Sequence, residues 1–481
     1  MKMMKSKTVL ASKAFIIIFA TLYLCLMVAL KDLLSDITMY SLLTIGLFVV
    51  SFSMCTSLVK ARGRYYLFSF TTLFLIFQFI VQVCIGNIAY YSNQTYYFPG
   101  WDYMKKTMFV MYTAALGYIC GMDSKVWASA GEKIHEKFFT KWETNYNVNL
   151  RACIIVFIIV IPLYMWGMST GLIGYETSNT VTAVSNIKQV VVYLSHLMTM
   201  ALYILFIDIL KNRKRNERLV FVVFLVVRLF MALLSGMKAD IILMFACLFI
   251  IYLVCVGKAN KMILFLGSLA TLLIYNLNNV FRALLRNEAY NSFTRSELLN
   301  ISVRQILLGG DVLTGVNNSF LMRLGITESC GSVIRYIDLH GLTENDPTFF
   351  KDFILIPLST FLPRAILPWK SVLNYGVWVT QVVHGTMVYS SSYLTIEGFF
   401  YSIGGFITIF LGFYFLAIFL EFVSSIIKVE SMNEVMLCTF LMICTTQIFE
   451  PNDPVTMIMG IIRGIIIYPI LGKILIRHRK I

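Results

Sequence analysis

Twelve stretches of this chain are apolar over lengths close to the thickness of a membrane's hydrocarbon layer, which fixes the kind of fold before anything else. They cover 14–30, 37–59, 67–89, 107–121, 152–168, 188–210, 219–235, 239–256, 262–281, 399–427, 433–449 and 454–476. A helix rising 1.5 Å per residue needs about 20 residues to cross ~30 Å of hydrocarbon, so the fourth and eleventh stretches are short for the task. In lipid every backbone polar group must find its partner within the segment, and the strands of a membrane barrel would alternate in polarity. No such alternation is present. The expectation is an all-α, polytopic integral membrane protein with about twelve spans. Composition agrees: 58% of the 481 residues are hydrophobic and 14% charged, with a mean hydropathy of +0.78. A soluble domain of this size needs more polar surface.

The connecting loops orient the chain. If both termini are cytoplasmic, the inner segments carry twenty-four Lys and Arg, against five in the short outer loops (Lys31, Lys105, Lys106, Lys188 and Lys238). That asymmetry is the positive-inside pattern. It also accounts for the net charge of +15, since these residues lie in short clusters facing anionic headgroups. No basic stripe interleaved with aromatics forms a groove, which excludes a nucleic-acid partner. Lys2, Lys5, Lys7 and Lys13 before the first apolar run resemble a signal peptide, but no small-residue cleavage site follows, so an uncleaved first helix is expected. Nine of the ten Cys lie in or beside apolar segments and no CxxC pair occurs, so neither a metal site nor a redox pair is expected.

The pattern breaks between Arg282 and about Thr395. By parity this stretch lies outside the cell membrane, and it is too long for a connector, as functional loops are. The chain divides accordingly into 1–281 with nine spans, a large extracytoplasmic loop at 282–395, and 396–481 with three spans. The loop holds nine Arg and Lys against eight Asp and Glu, with turn signals at Gly309-Gly310, Gly341 and Asn345-Asp346-Pro347. Phe353 to Leu362 is apolar but too short to cross, which suits a re-entrant or surface-lying segment.

Two arginines fall inside apolar stretches. Arg228 and Arg463 lie roughly 13 Å deep at 1.5 Å per residue. A charge there requires a partner, water or an anionic ligand. For Arg463 an anionic ligand or wet cavity stands level with the plain alternatives, a span boundary lying a few residues away or an arginine satisfied by backbone carbonyls; for Arg228 the plain alternatives are favoured. Arg282 and Arg286 follow the ninth span at i, i+4 spacing and would share one helix face. Phe361-Leu362-Pro363-Arg364, continuing to Trp369 and Lys370, sets two cations among rigid prolines. Arg grips a phosphate with two parallel bonds, while Lys adds a point charge. Interfacial anchoring is the plain alternative for this segment and for Lys238, in the tight turn Ser235-Gly236-Met237-Lys238. His384 and Glu397 flank the return into the membrane, and either could act as a general base; Glu397 could equally favour a helix N-terminus. Arg335, Asp338 and His340 read best as a solvated loop face.

Four of these features together resemble the bacterial O-antigen and oligosaccharide repeat-unit polymerases, the Wzy family. They are Ser235 to Lys238 after a mid-chain span, Arg282 directly after the next long one, Phe361 to Lys370, and Glu397-Gly398-Phe399-Phe400 through Gly405 opening a late span. The family's basic position in the first motif is often Arg, where this chain has Lys238. The resemblance implies a glycosyltransferase of the bacterial inner membrane, active on its outer face. It would move a growing glycan from undecaprenyl diphosphate to an incoming lipid-linked repeat unit, with no metal or other cofactor. Its partners would be that lipid-linked oligosaccharide, membrane lipid, a flippase and a chain-length regulator. Arg282, Arg286, Arg364, Lys370, Lys238 and Arg463 would then hold the diphosphate, with Glu397 or His384 as base. An O-antigen ligase shares the architecture. A lipid-linked oligosaccharide flippase, the alternative of another class, would line many spans with charge.

Overall fold

The structure, a computed structural model, describes residues 2–92, 98–139, 146–170, 173–174, 186–212, 215–257, 260–290, 292–307, 325–343, 346–361, 375–386, 392–429, 434–449, 451 and 453–478. The elements in chain order are α1 (Lys2–Ala29), α2 (Asp36–Arg62), α3 (Phe70–Leu75, widening into π turns through Ile85), α4 (Trp101–Gly121), α5 (Lys125–Phe138), β1 (Tyr146–Val148), α6 (Leu150–Ser169), α7 (Asn186–Asn212), α8 (Arg215–Ser235), α9 (Lys238–Val256) and α10 (Lys261–Arg286). They continue with α11 (Arg295–Leu307), α12 (Thr327–His340), α13 (Phe349–Ile354), α14 (Ile356–Phe361), α15 (Tyr375–Trp378, with π turns to Val383), α16 (Ile396–Ile426), α17 (Glu434–Ile443, with π turns to Ile448), α18 (Pro454–Ile474) and β2 (Ile476–His478). All twelve apolar stretches are helical, and among the described residues nine helices are long and apolar enough to cross a membrane. The chain is an all-α, multi-pass membrane protein. The remaining three stretches fall in α4, in α10 and in the short helix Glu434–Ile448.

The chain forms two compact units, one of residues 1–142, 318–431 and 446–463, the other of 143–317, 432–445 and 464–481. In the first, α4 crosses α16 at very short range. Gly117 and Gly121, one turn apart, face the backbone oxygens of Phe410 and Tyr414, where an added Cβ would stand 2.3 and 2.2 Å away. Without a hydrophobic drive between helices in lipid, small residues that let backbones approach supply the packing energy. Gly131 continues the contact from α5, next to the Phe422 carbonyl. Gly46 on α2 likewise admits the rings of Tyr23 and Tyr112, and Tyr23 donates its hydroxyl to the Leu42 carbonyl at 2.6 Å.

The C-terminal ends of α2 and α4 share a buried polar knot. Arg62 pairs with Asp123 and, at 2.6 Å, with Glu421. Tyr66 donates its hydroxyl to the other oxygen of Glu421 at 2.6 Å. Lys13 donates to the carbonyl oxygens of Cys120 and Met122 at 2.9 and 2.7 Å, satisfying groups the end of α4 leaves open. Helix α16 is not continuous: Gly404 and Gly405 depart from helical geometry, and Gly405, at φ +66°, takes a conformation that side chains other than glycine rarely adopt. The tenth apolar stretch is thus a short N-terminal piece and a longer C-terminal one.

In the second unit Arg228 meets Asp240 at 3.4 Å and contacts the Thr199 hydroxyl, with the Tyr164 ring beside it. The partner is an acid at the start of the next helix, not the backbone carbonyls expected from the sequence. Arg295 donates to the carbonyl of Leu234 at 2.9 Å. An antiparallel ladder pairs Tyr146, Asn147 and Val148 with His478, Arg477 and Ile476, a small sheet that hydropathy gives no hint of. The ten cysteines are all free thiols, Cys330 buried within α12 among them.

Candidate functional site

The stretch read as an outer loop contributes structured helices to the first unit. The sequence from Thr327 to His340 winds into α12 because its apolar residues Cys330, Val333 and Ile334 recur on one side, where all three are fully buried. Ser332, Arg335, Tyr336 and Leu339 then share the opposite side at i, i+3 and i+4 spacing. That face, with Phe98 and Pro99 before α4 and with Val383 and His384, walls a cleft of about 400 Å³.

Hydrogen bonds hold the polar side chains of this cleft. Arg335 donates to the carbonyl of Pro99 at 3.3 Å, setting its guanidinium at the rim. The imidazole of His340 lies along the Tyr336 ring, centroids 5.0 Å apart, with Nδ1 3.2 Å from the Tyr336 carbonyl oxygen. His384 ends the π turns after α15, its backbone N–H donating to Val379 at 2.9 Å. Burial pushes its pKa down to about 4, which favours the neutral ring, able to accept a hydrogen bond. Behind the cleft, Trp378 donates its indole N–H to Asp346 at 2.8 Å and Thr343 donates its backbone N–H at 2.7 Å. Burial raises the Asp346 carboxyl, but the bonds from Thr343, Trp378 and Tyr336 outweigh it and hold the group below its usual range. Tyr375 similarly donates to Asp352 at 2.8 Å. The cleft thus offers one guanidinium and two imidazoles, a set suited to an anionic ligand.

Of the residues singled out from sequence, the cleft gathers His384 with Arg335 and His340. The latter two are exposed, as a solvated face would be, yet they line a concavity. Asp338 separates from that cluster, pairing with Lys106 at 2.5 Å and accepting from Tyr401 at 2.7 Å. Glu397 is fully buried on the other side of α12, near Cys330. Its Oε1 accepts from Gln78 at 2.8 Å, and its Oε2 has no hydrogen-bond partner among the described residues. Thr395, at φ +67°, is the cap of α16, accepting from the Gly398 N–H. The capping role is therefore taken by Thr395, with Glu397 in the first turn.

Arg463 donates from Nε to the carbonyl of Thr360 at 3.1 Å, so a backbone oxygen at the end of α14 supplies one of its partners. Arg282 and Arg286 lie in the last two turns of α10, which runs continuously through both. The Arg282 side chain is partly buried. The side chains of Arg286 and Lys238 lie outside what the structure describes, as do Arg364, Lys370 and the turn signals at Gly309-Gly310 and Asn345. Among the described residues no cluster of three or more His, Cys, Asp or Glu could hold a metal ion. No protein-family model, curated protein or solved structure matches the chain.

Proposed function

We propose that this multi-pass membrane protein is a glycosyltransferase that polymerises lipid-linked oligosaccharide repeat units. In this reading both termini are cytoplasmic, twelve helices cross the bacterial inner membrane, and 282–395 faces outward. The growing glycan leaves undecaprenyl diphosphate and joins a hydroxyl of the incoming unit. Fixed cations stabilise the charge that develops on the departing diphosphate, the most effective task electrostatics can perform in such a site. By the resemblance, Arg282, Arg364 and Lys370 serve there, with Arg463 and Lys238 in support. Of the two base candidates His384 is the better placed, because it borders an open cleft, whereas Glu397 is closed off beneath α12.

The observation that carries this reading is the cleft itself: Arg335, His340 and His384 converge in a segment expected to be extracytoplasmic, in a chain whose motifs resemble the polymerases. Deleting the gene and separating surface glycans on a gel tests it. A ladder that collapses to a single repeat unit, with the same collapse in Arg364→Ala at normal protein level, is the expected result. Loss of all attached glycan would assign a ligase, and lipid-linked units trapped inside the cell would assign transport.

A further inference from the structure

A second cavity of the first unit lies far from the cleft. Helices α1 and α2 close on each other where Gly46 receives Tyr23. Toward the N-terminus of α1 and the C-terminus of α2 they leave a groove of about 730 Å³. Its walls are apolar, from Phe15, Ile16 and Phe19 on one helix and Val49 and Val50 on the other. Phe15 is 70% exposed and Phe19 40%. At the far end the lining turns polar through Ser53, Thr56 and Ser57 and finishes at Lys60. Lys13, on a different face of α1, is tied to the carbonyls of Cys120 and Met122, which fixes α1 against α4 and keeps it from folding over the groove.

We infer that this groove binds an anionic phospholipid, with an acyl chain along Phe15, Phe19 and Val49 and the phosphate at Lys60 and the neighbouring hydroxyls. The polarity gradient matches such a molecule end for end, and the charge complements it. Arg62 is committed to Asp123 and Glu421, and Lys13 to carbonyl oxygens, while Lys60 is exposed and makes no ion pair with a described residue. Lys2, Lys5, Lys7 and Arg64 belong to the same end by sequence, and basic residues near a membrane surface draw anionic lipid. A polyprenyl diphosphate is the less fitting occupant. The groove's cationic end lies at the C-terminus of α4 and the α12 cleft at its N-terminus, about 30 Å apart at 1.5 Å per residue.

The test is native mass spectrometry of the purified full chain, released from micelles after exposure to phosphatidylglycerol or phosphatidylcholine. Wild type should keep phosphatidylglycerol in preference. Lys60→Ala should weaken that retention about fivefold, the ratio that ~1 kcal/mol per basic residue at an anionic surface gives. Lys60→Arg should restore it, and Ser53→Phe, which fills the groove, should abolish it. Equal retention of both lipids, unchanged retention in Lys60→Ala, displacement by undecaprenyl diphosphate, or a dimer in place of a lipid adduct would each overturn the assignment. Should Ser53→Phe fail to fold, the Lys60 pair decides alone.

Discussion

Replacing Gly121 by Val tests the packing that holds the first unit together. The Cβ of any side chain there would lie 2.2 Å from the Tyr414 oxygen, against the 3.0 Å below which such contacts essentially never fall. Helices α4 and α16 must therefore part locally by the 0.8 Å difference. The opposing atom is backbone within a helix, so no rotamer change can relieve it. Overpacking of this kind costs about 1–3 kcal/mol, and the upper half of that range applies because the neighbour cannot yield. Helix propensity returns only a few tenths of a kcal/mol, since Val is a poor helix former as well. The net expectation is a loss of about 2–3 kcal/mol, read by titrating the purified protein with a denaturing detergent. Gly267 is the control, as nothing lies within 4 Å of a Cβ placed there, and Gly267→Ala should be neutral or stabilising by up to ~1 kcal/mol. In Gly117→Val/Gly121→Val the second substitution should cost less than the first, because the helices separate once. A Gly121→Val protein within about 0.5 kcal/mol of wild type would refute the reasoning, since surface-like tolerance is incompatible with a backbone contact.

Two further outcomes follow from buried charge. Glu421→Ala leaves Arg62 with Asp123 alone and strips Tyr66 of its acceptor; breaking a buried pair this way should cost about 3 kcal/mol, with Glu421→Gln milder, in the same unfolding assay. Folding lowers the His384 pKa from 6.5 to about 4, so the unfolded chain binds more protons between those values. Stability contributed by neutral His384 is present above pH 6.5 and fades as pH falls toward 4, and an unfolding series from pH 7 to 5 should lose part of its slope in His384→Asn.

The membrane architecture was legible in the sequence because twelve apolar runs leave the backbone only one way to pair its polar groups. All of them are helical; the short fourth extends into more polar residues such as Asp102, Lys105 and Lys106, whereas the eleventh stays short, at Glu434–Ile448. The site was harder to read. Hydropathy marks 282–395 only as not spanning, and from Thr327 to His340 the apolar side is a single narrow stripe that carries little average signal. The signal for the cleft wall is the i, i+3, i+4 spacing of Ser332, Arg335, Tyr336 and Leu339. Arg228 illustrates a different gap. Its partner Asp240 is twelve residues away across a turn, a pairing that depends on how α8 and α9 pack and on no local spacing. The ladder between 146–148 and 476–478 joins segments separated by most of the chain, and three residues at each end carry too little pattern to find one another on paper.

The break at Gly404–Gly405 has a consequence for the setting in which the protein works. As one rod, α16 would be about 46 Å long at 1.5 Å per residue, well beyond a ~30 Å hydrocarbon layer. Divided after Gly405, the piece from Phe406 to Ile426 spans about 31 Å. A piece of that length would cross such a layer without a steep tilt, which the unbroken rod would need. The eight residues above the break, Glu397 among them, are freed from the rod to pack beneath α12.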